Sequence, residues 1–312
     1  MMGSQLELKV IKETIKKPIG PAIGFCCQYI IMPLLAFGIA EALLYNHPGL
    51  KLGFFAVGCC PGGGVSNFWT ILLDGNLNLS ITMTFFSTCA ALFMMPAWLF
   101  SLGRMLYSGN ITIPFGQVVV SVATLIVPAA FGLLAKLKRP SWALFFGKAL
   151  KYFTAFIIFV LMTFGVYANL YIYQILEWYM IVCGCLLPWI GYGVAFGVAA
   201  CLRQGFTDSL TISIETGIQN GGIAIMLLKF SFPEPDSDLS LVMPVSVMMF
   251  TTLPLLLYFL IKLAGRKWFN KDKQSDAEEE YGASKQTKIE MTESNGKKAT
   301  EAPERETMLT HS

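Results

Sequence analysis

The chain has 312 residues, 54% of them hydrophobic and 14% charged, with a formal net charge of +3 and a mean hydropathy of +0.58. Soluble domains carry about 25% charged residues, so this composition excludes an ordinary soluble domain and describes a membrane protein. The eight cysteines (26, 27, 59, 60, 89, 183, 185 and 201) fall inside apolar runs, away from the two histidines, His47 and His311. They read as small apolar packing residues, and neither a metal set nor His-based catalysis is expected.

Residues 1–17 are polar and lack the apolar core of a secretory signal peptide, so they read as a cytoplasmic N-terminal segment. Apolar runs long enough to cross a hydrocarbon core follow near 18–45, 50–73, 77–103, 113–137, 147–173, 178–202, 207–230 and 240–264. Lipid offers backbone groups no partner, and the runs lack the alternation of barrel strands. About eight transmembrane helices are therefore expected, in a transporter domain spanning 18–264. Residues 265–312, rich in Glu, Lys, Ser and Thr, cannot bury enough apolar surface to fold and are expected to form a disordered cytoplasmic tail. The fold class is an all-α integral membrane protein, a polytopic helical bundle.

Orientation follows from Lys and Arg in the short loops. Lys9, Lys12, Lys16, Lys17, Lys136, Lys138, Arg139, Lys148, Lys151, Arg203, Lys262, Arg266 and Lys267 fall on one side. Lys51, Arg104, Lys229 and the acidic loop at 233–238 fall on the other. Both termini are thus placed in the cytoplasm. The sequon at Asn110 lies on the outer side and is a glycosylation candidate, whereas the one at Asn78 lies on the inner side and should stay unmodified.

Within the first span, Gln28 is a lone uncharged polar group, expected to make an interhelical hydrogen bond. The second span is interrupted by CCPGGGVSN, residues 59–67. Proline lacks an amide hydrogen, and each glycine disfavours helix by about 1 kcal/mol relative to alanine, so the helix should unwind there. Unwound backbone at membrane depth is tolerated where it is buried in protein or lines a cavity, and its carbonyls can then coordinate a cation. In the third span Ser80 and Thr84 are four apart and share one helical face. The seventh span carries Glu215-Thr216-Gly217-Ile218-Gln219-Asn220-Gly221-Gly222. A carboxyl group here costs about 2.5 to 3.5 kcal/mol on insertion scales and must be compensated, either by staying protonated or by holding a cation. Gln219 and Asn220 add oxygen atoms nearby, the kind of ligand a hard cation such as Na+ prefers. Two interrupted spans, one early and one late, are the sign of an inverted-repeat secondary transporter with its site where the broken helices meet.

Together, Gln28-Tyr29-Ile30-Ile31-Met32-Pro33-Leu34, CCPGGGVSN, residues 74–84 and Glu215 to Asn220 closely resemble the sodium/bile acid cotransporter family, over about residues 2–264. The resemblance implies that the two broken helices cross, and that two Na+ ions bind behind the crossing to drive uptake of a bile acid or related organic anion. It implies one sodium site at Ser66, Asn67, Ser80, Thr84 and Glu215. It implies a second at Gln28, Glu215 and Gln219 with the backbone carbonyls of Thr216 and Ile218. Gly64 and Asn220 would face the substrate. The polar opening Met2 to Glu7 resembles the end of the family's preceding helix, so the usual first span is expected to be missing here.

The leading expectation is a sodium-coupled symporter of bile acids or related organic anions, such as sulfated steroids, working by alternating access in the plasma membrane. Its partners would be Na+, an amphipathic organic anion and the lipid bilayer, with no nucleic acid, no cofactor beyond the co-transported ion, and a homodimer left open. A membrane enzyme using Glu215 as a buried acid lacks an evident second catalytic group, so the chain is not expected to be an enzyme. A non-transporting homologue acting as a receptor or scaffold is the alternative.

Overall fold

A computed structural model describes residues 18–106, 175–231 and 236–265, with positions 120, 123 and 127. The expected spans at 113–137 and 147–173, the sequon at Asn110, the polar opening and most of the tail lie outside the described residues. The chain divides into two units, Met1–Leu255 and Leu256–Ser312, and the site described below lies in the first.

Among the described residues the elements are helical. α1 is Ile19–Leu43, α2 Pro48–Gly58, α3 Val65–Leu72, α4 Leu77–Leu106, α5 Trp178–Cys201, α6 Phe206–Gly217, α7 Gly221–Ser231 and α8 Asp236–Thr251. Four helical runs are long and apolar enough to cross a membrane: α1, α4, α5 and Leu239–Gly265. The two expected broken spans appear as the pairs α2/α3 and α6/α7. Each pair is followed by an unbroken helix, α4 after the first and α8 after the second.

α1 is helical throughout but winds wider over Cys27–Ile31, where a π-turn occurs. The cause is local. Pro33 has no amide hydrogen to return to the Tyr29 carbonyl, and the Trp98 indole donates to that oxygen instead, at 2.7 Å. The turn leaves Gln28 on the buried side, 2% exposed. Extra turns of this kind often occur at functional positions.

Since lipid tails are as apolar as leucine, helix association here depends on close packing rather than on hydrophobic burial. α2 packs on α8 and α1, and α5 packs on α6 and α8. A large buried cluster including Met32, Phe54, Phe55, Met95, Leu187 and Met243 lies among them. Glycines set the closest approaches: a Cβ on Gly53 would strike the Ser240 backbone, and one on Gly58 would strike Ala36. In the first turn of α2, Lys51 is buried and pairs with Glu41 at 2.9 Å, so the cation enters the protein with its counter-charge. All eight cysteines are free, and Cys27, Cys59, Cys60 and Cys183 are buried.

Gly53→Val should lower the thermal midpoint of detergent-purified protein, because the added groups meet rigid backbone and overpacking costs about 1–3 kcal/mol. Gly38→Ala should not lower the midpoint and should raise it slightly, since a Cβ there meets nothing within 4 Å and alanine favours helix over glycine.

Candidate functional site

The two broken helices meet through their unwound backbones. Gly62 and Gln219 form an isolated antiparallel bridge. Gly63 N–H donates to Ile218 O at 2.8 Å, and Asn220 N–H donates to Pro61 O at 2.9 Å. Residues freed from helix by Pro61 and Gly62 to Gly64 thus satisfy residues freed by Gly217, as buried backbone requires. The contact also needs the missing side chains. A Cβ on Gly62 would lie 2.5 Å from Glu215 Oε1, and one on Gly63 would lie 2.8 Å from Gln219 O. At the same point Asn220 starts α7, its Oδ1 accepting from Ile223 N–H at 3.3 Å.

Beside the crossing sits Glu215, 2% exposed, on the last turn of α6. Ser66 Oγ donates to Glu215 Oε2 at 2.6 Å, Ser80 Oγ lies 2.9 Å from the same oxygen, and Thr84 Oγ1 donates to Oε1. Ser80 Oγ is also 3.0 Å from Asn67 Oδ1, and Asn67 Nδ2 is 3.4 Å from Thr84 Oγ1. The local sequence explains the convergence. On α3 the polar Ser66, Asn67 and Thr70 are buried while the apolar Val65, Phe68 and Ile71 are half-exposed or more, the reverse of a soluble helix. On α4, Ser80 and Thr84 lie one turn apart on the same face. All five residues expected to form the first site are therefore in one hydrogen-bonded group.

That group holds more acceptors than protons. Six oxygens, the two of Glu215, Asn67 Oδ1 and the hydroxyls of Ser66, Ser80 and Thr84, share three hydroxyl hydrogens of their own, with one further donor each from the Asn67 amide to Thr84 and the Thr70 hydroxyl to Ser80. The Thr84 proton also faces Ser80 O, at 2.9 Å. A buried cluster with surplus lone pairs and one carboxylate matches the ligand chemistry of a hard monovalent cation.

A second group adjoins the crossing. Gln28 Nε2 donates to Cys60 O at 2.7 Å and to Gln219 Oε1 at 2.8 Å, while Gln219 Nε2 donates to Thr216 O at 2.7 Å. Gln28, Gln219 and the Thr216 carbonyl are thus brought together, in accord with the interhelical bond expected of Gln28. The Ile218 carbonyl is instead engaged in the crossing, and the hydrogen-bond partners of Glu215 belong to the hydroxyl group alone. Thr216 Oγ1 is the one buried side-chain oxygen among the described residues with no hydrogen-bond partner. It lies next to the carbonyl that Gln219 holds. A cavity of about 560 Å³ between α1 and α4 reaches both Gln28 and Glu215, with Phe25, Met83, Phe86 and Phe93 in its wall. Gly64 is exposed and Asn220 is half-buried at the crossing.

Sequence reasoning missed Thr70, whose Oγ1 lies 3.3 Å from Ser80 Oγ, and the Cys60 carbonyl that holds Gln28. Thr70 lies one turn after Ser66 on the same face of α3, which was the available signal. Nothing in the sequence marks Cys60 O, because it is exposed to Gln28 only by the break at Pro61.

Comparison with known proteins places the chain among membrane transporters. The model of the Sodium Bile acid symporter family matches residues 1–178. The ileal sodium/bile acid cotransporter of Mus musculus is 31% identical over 276 residues, covering 87% of this chain and 78% of its own length. The sodium-dependent organic anion transporter of Bos taurus is 31% identical, covering 74% of this chain and 61% of itself. The hepatic sodium/bile acid cotransporter of Homo sapiens is 32% identical, with 74% and 67% covered.

Gln28→Leu should destabilise purified protein by about 1–3 kcal/mol, because it leaves the Cys60 and Gln219 oxygens without a donor. Thermal unfolding in sodium-free buffer measures this, and Cys26→Ala, an exposed neighbour, should be neutral.

Proposed function

Because this chain belongs to the sodium bile acid symporter family, a family of membrane transporters, we propose that it is a sodium-coupled symporter of a bile acid or a related amphipathic organic anion, such as a sulfated steroid. The observation that carries the reading is the surplus of oxygen atoms around Glu215, buried and shared among α3, α4 and α6. A Na+ ion entering this group meets a full negative charge and hydroxyls that need only rotate their protons away to present lone pairs.

The second ion is held by Gln28, Gln219 and Glu215, with the carbonyls of Thr216 and Ile218. The Gln28 amide nitrogen bridges two oxygens, Cys60 O and Gln219 Oε1, as a small cation would. Turning that amide over presents Oε1 to the ion instead. The unpartnered Thr216 hydroxyl supports the same assignment, since it adds an uncommitted oxygen beside these groups.

Substrate and ions act on one element, the crossing. The helices α3 and α7 begin there, and the positive ends of their dipoles favour an anion. Gly64 and Asn220 would face the anionic group, and Val65, 55% exposed, offers apolar surface to the body of an amphipathic molecule. Each Na+ carried inward down a potential of about 100 mV contributes about 2.3 kcal/mol, and transport proceeds as one repeat rocks against the other. The excess of Lys and Arg on one side of the spans supports an orientation with both ends of this chain in the cytoplasm.

Uptake of a radiolabelled bile acid or steroid sulfate by cells displaying the protein should require Na+. Glu215→Gln should lower it roughly 100-fold at equal surface display, as should the paired change Ser80→Ala with Thr84→Val. Uptake that proceeds equally in choline medium would overturn the assignment.

A further inference from the structure

One helical turn from the carboxylate, a second polar contact joins α4 to α6. Asn76 starts α4, its Oδ1 accepting from Leu79 N–H at 3.2 Å. Its remaining donors are committed to α6. The Asn76 backbone N–H donates to Thr211 Oγ1 at 2.7 Å, and Asn76 Nδ2 donates to Asp208 Oδ1 at 2.8 Å. The Thr211 hydroxyl proton goes to Thr207 O at 2.7 Å, which leaves its oxygen free to accept from Asn76. Asp208 is in the first turn of α6, where the helix dipole favours a carboxylate.

The preceding turn is shaped to make this contact. Asp74 has φ 60°, a left-handed conformation, and Gly75 N–H donates to Thr70 O at 2.7 Å. A Cβ on Gly75 would lie 2.8 Å from Thr211 Oγ1 and 2.8 Å from Thr70 Cγ2. Only glycine lets the turn press this close to α6, so the contact is part of the packing and not a surface accident.

Its spacing ties it to the site. Ser80 follows Asn76 by four residues, and Glu215 follows Thr211 by four. The pairs Asn76 with Thr211 and Ser80 with Glu215 are therefore two successive rungs between helices that run the same way, about 6 Å apart along the axis. A helix transmits axial displacement with little give, so slippage at the first rung displaces Ser80, and then Thr84, from the carboxylate. We propose that Thr211, Asp208 and Asn76 are positioning residues for sodium: a polar latch that fixes the register of α4 against α6 and so sets the affinity of the site at Glu215. The latch touches neither the crossing nor Gly64 and Asn220, so it governs the ion and not the organic anion. The proposal rests on the reading of Glu215 as the sodium carboxylate.

The test titrates NaCl against the thermal midpoint of the full purified chain and against uptake in cells. Thr211→Val leaves the Asn76 amide without an acceptor and should raise the half-saturating Na+ concentration about tenfold. The KM for the organic anion at saturating Na+ should not change. Thr211→Ser keeps the hydroxyl and should restore the wild-type sodium curve. If Thr211→Val does not fold, Asp208→Ala, at a partly exposed position, carries the same test with an expected shift of about threefold. Asp208→Asn, which preserves a side-chain acceptor, should restore the curve. A wild-type sodium curve in Thr211→Val and Asp208→Ala, or a parallel rise in the anion KM, overturns the latch. Absence of any sodium effect in the unaltered protein instead overturns the reading of Glu215 on which it stands.

Discussion

Two backbone hydrogen bonds, Gly63 N–H to Ile218 O and Asn220 N–H to Pro61 O, join the broken helices, and the polar groups around them depend on that join. An unwound segment in a membrane span has carbonyls and amides that lipid cannot satisfy. Here each unwound segment satisfies the other. Because the pair is antiparallel and lacks side chains at Gly62 and Gly63, the backbones approach closely enough for Glu215 to lie directly beside Gly62. The close approach also exposes the Cys60 carbonyl to Gln28 from α1. One contact between two irregular segments thereby assembles donors and acceptors from four helices.

Around that join, charge is handled by hydroxyls and amides. Glu215 has no cationic partner among its hydrogen-bonding neighbours, which are Ser66, Ser80 and Thr84. A lysine or arginine there would neutralise the carboxylate permanently. Hydroxyls hydrogen-bond the carboxyl group without adding a fixed opposite charge. The contrast with Lys51 and Glu41, which are fixed to each other at 2.9 Å, shows both solutions in one protein.

The packing around the site follows the same economy of side chains. Tyr192 lies against the backbone of Gly217, where a Cβ would collide with its ring, and its hydroxyl donates to Thr251 O at 2.9 Å. Ser213, two residues before Glu215, donates to Tyr192 O at 2.8 Å. α6 is thus held to α5 by polar contacts on one face while its other face presents the carboxylate to α3 and α4. These short polar links give directional contacts that apolar packing in lipid cannot supply.

Much of this was legible in the order of residues. Four of the apolar runs, near 18–45, 77–103, 178–202 and 240–264, coincide with helices long and apolar enough to cross a membrane, because a hydrocarbon core requires a minimum length. Proline and glycine chemistry located both breaks, and the cost of a buried carboxyl singled out Glu215. Ser80 and Thr84 could be paired from helical spacing alone. What local sequence could not decide was which atoms meet across the break. That Cys60 O receives Gln28, that Thr70 stands behind Ser80, and that Asn76 reaches Asp208 and Thr211 all depend on residues up to 135 positions apart. Spacing along a chain constrains contacts within one helix, whereas contacts between helices follow from the register at which they pack. In this protein that register rests on contacts such as the glycine approaches and the backbone pairing at the crossing, which exist only once the chain is folded.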